Sequence, residues 1–231
     1  MSREEDAGEA TAEGDVVRRN SRARKIFILA MILTVGPALV GNLLTHFDGK
    51  NGSGKPEDYA FQHLDEKTGE PLLWRTCTLT WSLDAEAGPR DTEKTVQTAF
   101  DIIAKESGLK FKRVMQGAQI SIKVFEKFDG EELGGIAQIV PIHDPESGLT
   151  VPAYSEVVIF GGVFEDLSPG FDRRDSRGGL VIHEVLHALG LGHVEYRGSI
   201  MYPKILKGEL EFSPGDLLAL KTIGTECSKT P

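Results

Sequence analysis

RGGLVIHEVLHALGLGHVEYRGSIMYP, residues 177–203, is the stretch that decides the fold. Inside it, His183 and His187 stand four residues apart. On a helix this spacing puts both imidazoles on one face, a turn apart, where both reach one metal ion. Glu184 follows the first histidine and points in a neighbouring direction, so it reaches a water on that metal without being a ligand. Leu180, Val181, Val185, Leu186 and Leu189 supply an apolar surface that fixes the helix to a core. Gly190 allows a left-handed C′ residue that ends the helix. The chain then turns back, and His193 approaches the same metal from the other side. The competing account is a core helix with satisfied histidines. Three of the six histidines of the chain fall in these eleven residues, which weighs against it.

Three neutral nitrogen ligands, His183, His187 and His193, leave the fourth position of a tetrahedron open, as catalytic rather than structural zinc sites do. A single zinc ion in such a site lowers the pKa of its water from about 15.7 to about 7. Glu184 is then placed to take the proton as the water attacks a carbonyl, and to pass it to a leaving amine. The chemistry implied is amide hydrolysis.

The long motif HExxHxxGxxH at 183–193 is followed, eight residues after His193, by Met201 in the turn Ser199-Ile200-Met201-Tyr202-Pro203. Together they resemble the metzincin class of zinc peptidases, and the SIMYP turn looks most like the matrixins. The resemblance is strong over 177–203. It extends in outline over 59–225, through Leu72–Leu83 with its two tryptophans, a helix at 91–107 and Gly-Gly-Ile-Ala at 134–137. It implies an endopeptidase whose partner is a protein or peptide substrate, with Met201 as an apolar floor beneath the zinc. The substrate would lie extended along an edge strand, for which Gly135–Val140 is the candidate, paired through its backbone with little sequence selectivity. Residues 204–213 would shape the pocket beyond the scissile bond.

Some positions depart from the matrixin pattern. Val194 and Glu195 stand where a serine usually follows the third histidine. No cysteine-switch propeptide is recognised. Tyr202 comes one residue too early to match the tyrosine ligand of other metzincins, a position held here by Pro203. Only His143-Asp144 is similar to part of the second zinc site of animal matrixins, and His143, His63 and His46 are read as surface or packing residues. Asp129–Glu132 and Asp172–Asp175 are candidate Ca2+ loops, with plain acidic surface loops as the alternative.

Outward from this stretch, period-two alternation marks strands at Leu79, Trp81 and Leu83, at Leu109 and Phe111, and at Ile120, Ile122 and Val124. Ile136–Ile142 and Val157–Phe160 are apolar runs of strand length. A helix between the first two strands puts Val96, Ala99, Phe100, Ile103 and Ala104 on one face, with Asp91 to cap it and Gly108 to end it. A last helix opens at Ser213-Pro214-Gly215-Asp216 in a capping pattern and is expected to stop at Gly224. The order predicts an α/β or α+β domain with helices packed on a sheet. The resemblance sharpens this to an α+β zincin fold. That fold has a twisted, mostly parallel sheet of about five strands with an antiparallel edge strand, then an active-site helix, a methionine turn and a C-terminal helix.

With 40% apolar and 26% charged residues the chain is globular in composition. Its net charge of −9 lies wholly in residues 48–231, because residues 1–25 sum to zero and 26–47 carry no charge. No basic stripe is present there, so nucleic acid is not the expected partner. A monomer is expected. Cys77 and Cys227 sit in no metal-binding spacing, which leaves either one disulfide or two buried thiols. Residues 1–25 read as a disordered polar tail ending in a basic cluster. Ile26–Phe47 is long and apolar enough for a transmembrane signal anchor with the C-terminal part outside; a cleaved signal peptide and a secreted protein are the alternative. Residues 48–58 form a linker, with Asn51-Gly52-Ser53 as a glycosylation pattern, and 59–231 form the catalytic domain.

Overall fold

The computed structural model describes residues 54–65, 68–85, 88–125, 134–145 and 148–228. Among these residues five strands and four helices follow in the order β1 (Thr78–Asp84), α1 (Thr92–Ser107), β2 (Lys110–Arg113), β3 (Ile120–Phe125), β4 (Gly135–His143), β5 (Thr150–Phe160), α2 (Gly161–Asp166), α3 (Arg177–Ala188) and α4 (Pro214–Ser228). The strands form one sheet in the order β2-β1-β3-β5-β4. Pairing is parallel throughout except for β4, which runs antiparallel to β5 at one end of the sheet. The described residues are thus α+β with a mostly parallel sheet and an antiparallel edge strand, in agreement with the coarse fold expected from the element order and the resemblance.

Alternation explains why these strands face as they do. Ile120, Ile122 and Val124 are buried while the residues between them are only half-buried. The apolar face of α1 (Val96, Ala99, Phe100 and Ile103) is fully buried. Phe100 stacks on Trp81 at 4.9 Å between ring centroids and meets Phe111 at 4.7 Å, joining helix, β1 and β2. Gly108 ends α1 with φ 77°, and its N–H donates to Ala104 O.

Two expectations about helix ends are corrected. The Asp91 side chain does not cap α1. Its carboxylate is taken instead by the Arg177 guanidinium at 3.0 Å, a hydrogen bond between two ionised groups. Nor does Gly224 end α4, which continues to Ser228. A Cβ at Gly224 would come within 1.8 Å of Ser107 O at the end of α1, so the glycine serves close helix approach. The extra turn brings Cys227 to Cys77, and the two form a disulfide that ties α4 to the chain just before β1.

The membrane expectation is also corrected. Among the described residues no helix is long and apolar enough to cross a membrane. The anchor at 26–47 lies outside those residues, as do the tail 1–25, the Asn51 pattern and Asp129–Glu132, and the single-pass, outward-facing placement is not retained.

Candidate metal centre

Helix α3 carries the first two histidines, and each of its ends is held. At the start, the Ser176 hydroxyl accepts from Gly179 N at 3.1 Å. Gly178 and Gly179 let the preceding loop close on the helix, since a Cβ on either would come within 2.4 Å of a loop carbonyl. At the far end Gly190 has φ 108°, Gly190 N donates to His187 O at 2.9 Å and Leu191 N to Leu186 O at 3.0 Å. This paired closure is the Schellman motif. The buried Trp74 indole donates to Ala188 O at 3.0 Å and takes up another carbonyl of the last turn. The reversal returns His193 to α3.

The three predicted ligands meet. Their Nε2 atoms lie 3.1 Å apart for His183 and His187, 3.2 Å for His183 and His193, and 3.0 Å for His187 and His193. Backbone carbonyls fix two of the rings: His183 Nδ1 lies 2.7 Å from Ile200 O and His187 Nδ1 2.7 Å from Leu191 O. A carbonyl only accepts, so each Nδ1 carries its proton and each Nε2 presents a lone pair. Two lone pairs therefore face each other with the His193 nitrogen close to both, an arrangement that a cation between them stabilises. Donors on a tetrahedral zinc lie roughly 3.3 Å from one another, a few tenths of an ångström beyond the spacing seen. Among the described residues this trio is the group of His, Cys, Asp and Glu able to hold a metal. At Asp172–Asp175, the second proposed calcium loop, both Asp175 oxygens are engaged by Arg173 at 3.0 Å.

Glu184 is buried, at 4% exposure, and its Oε2 has no hydrogen-bond partner. Burial pushes its carboxyl up to about 8; a cation at the neighbouring imidazoles would draw that value down. Burial is also the largest reason that the histidines are hard to protonate. His183 lies below its ordinary 6.5 despite the Ile200 carbonyl and the Asp216 charge. His187 lies well below it through burial and the two neighbouring rings. His193 falls to about 3 through burial and His183. Neutral rings keep their lone pairs for a metal.

Met201 is buried, and its carbonyl accepts from Val194 N at 3.1 Å, so the turn and the residue after His193 are joined. The turn is pinned by Asp216, a residue that sequence reasoning assigned only to capping. Asp216 does cap α4, with Ser213 N donating to Oδ2 at 2.8 Å and Asp216 N donating to Ser213 Oγ at 3.1 Å. It also accepts from Ser199 Oγ at 2.6 Å and Ile200 N at 3.1 Å. Since Ile200 O holds His183, the carboxylate of α4 reaches that histidine through a single residue. The start of β4 passes directly over Glu184: a Cβ at Gly135 would come within 2.8 Å of its carboxyl group. His143 is exposed at the other end of β4, and His63 is half-buried on the N-terminal segment.

No protein-family model matches this chain, and no curated protein matches its sequence.

Proposed function

We propose that this chain is a zinc-dependent endopeptidase of the matrixin-like metzincin type, with His183, His187 and His193 as ligands and Glu184 as general base. One observation carries the proposal: three Nε2 atoms converge within 3.2 Å, and the residue that follows the first of these histidines has a buried carboxylate oxygen with no partner. Zinc bound there supplies a Lewis acid that acidifies a water and polarises a carbonyl. The chain's own residues do the rest. Glu184 Oε2 takes the proton of the attacking water and returns it to the leaving nitrogen, so that the amine departs neutral. Its burial keeps bulk water from competing for that proton. The Ile200 and Leu191 carbonyls hold the rings in one tautomer, and Asp216 keeps Ile200 in place.

The edge position of β4 supports a peptide substrate. An extended segment pairing with its outer edge gains backbone hydrogen bonds, and the Gly135 end of the strand lies against Glu184. The test is hydrolysis of a mixed library of quenched peptides by the full chain, repeated with a chelator and with Glu184→Ala. Cleavage lost in both controls, while Glu184→Ala still binds zinc, is the expected result. A folded, zinc-loaded protein that cleaves nothing would leave a metal-holding binding module, and a protein that binds no zinc would remove the proposal altogether.

A further inference from the structure

Gln62 lies 125 residues before His187 in sequence, yet its amide Nε2 is 3.0 Å from His187 Nδ1. The backbone brings it there. Gln62 N donates to Gly190 O at 2.8 Å, Gly192 N donates to Ala60 O at 2.8 Å, and Phe61 bridges to Leu191. Residues 60–62 thus pair antiparallel with 190–192, the loop that delivers His193. Gly192 keeps the two strands close, since a Cβ there would already lie 3.3 Å from the Phe61 backbone.

The amide as oriented places two donors together. His187 Nδ1 bears a proton, because Leu191 O at 2.7 Å can only accept it. An amide NH2 facing that N–H gains nothing, while Gln62 Oε1 is buried without a partner. Oxygen and nitrogen of an amide are assigned from such networks, and rotation by 180° exchanges them. The rotated amide sets Oε1 against Nδ1–H, which is then shared between Leu191 O and Gln62 Oε1.

We propose that Gln62 is a positioning residue for His187, whose amide oxygen accepts from Nδ1–H and holds the ring in the tautomer that turns Nε2 toward His183 and His193. This rests on reading the three histidines as metal ligands. A second acceptor on Nδ1 raises the basicity of Nε2 and narrows its orientation, as outer partners of metal-bound histidines do.

The experiment measures zinc affinity of the full chain by competition with a chromophoric chelator, apart from any peptidase assay. Gln62→Leu keeps bulk and removes the acceptor; Gln62→Glu keeps an acceptor in either orientation and removes the donor. Weakening of about 10- to 100-fold in Gln62→Leu, with affinity retained or increased in Gln62→Glu, is the expected pattern. Equal loss in both variants, or affinity in Gln62→Leu within about twofold of the parent, would overturn it. A measurement on the parent protein needs no variant: imidazole 15N shifts in chelator should show His187 protonated at Nδ1, and protonation at Nε2 would overturn the proposal. If the parent chain binds no zinc, the ligand trio itself has failed; if it binds zinc and the variants match it, only the role of Gln62 has.

Discussion

At the scale of single residues, burial works against charge on the three histidines and on Glu184. Each histidine sits below 6.5 when folded, so its contribution to stability is present above 6.5 and is lost as pH falls toward the folded values. Glu184 has the opposite sign. Its folded value of about 8 exceeds the ordinary 4.5, so its contribution is present below 4.5 and is lost as pH rises through 8. Between these limits three histidines outweigh one carboxyl on the acid side. In chelator the melting temperature should therefore peak near neutrality, and Glu184→Gln should flatten the alkaline limb; an unchanged limb would exclude Glu184 as its source. Asp216→Ala removes the acceptor of the Ser199 hydroxyl and of the Ile200 and Ser213 N–H groups at once. It should cost about 2–4 kcal/mol in denaturant unfolding and also weaken zinc binding, because Ile200 O is the partner of His183. The histidine cluster was legible because its spacing is local to one helix and one turn. Gln62 was not, because nothing in a lone glutamine 125 residues upstream announces a pairing with Gly190.

At the scale of elements, the strands were read from alternation, and α3 from its apolar face and terminal glycine. What failed were inferences from a residue type without its neighbours. Asp91 is a good cap in isolation, but Arg177 claims it. Gly224 is a good helix stop in isolation, but it lies against Ser107 O. The two views of Gly224 give opposite signs for one substitution. An ordinary mid-helix Gly→Ala change stabilises by about 1 kcal/mol. Here Gly224→Ala should instead destabilise by about 1–3 kcal/mol, because α1 and α4 must move apart. Chemical denaturation decides between them, and a gain in stability would show that the close approach of the two helices is not required.

At the scale of the whole molecule, the disulfide closes a long loop of the chain. Cys77 and Cys227 are 150 residues apart in sequence, and cross-linking a loop of that size removes about 5 kcal/mol of chain entropy from the unfolded state. Replacing both cysteines with alanine should lower the melting temperature substantially while leaving zinc content at 25 °C unchanged. A fall in zinc affinity that matches the fall in stability would mean that the bond also shapes the site. Sequence alone left this pairing open, because neither cysteine stands in a diagnostic spacing and only the continuation of α4 past Gly224 brings them together.

The linkage from Asp216 through Ile200 to His183 has a consequence for the life of the molecule. The three histidines are complete at His193, but the carboxylate that steadies the first of them belongs to α4. Before that helix is in place the turn at 199–203 lacks the Asp216 bonds to the Ser199 hydroxyl and Ile200 N. Under the proposed function, a chain truncated before Asp216 should therefore hold zinc less tightly than the full chain.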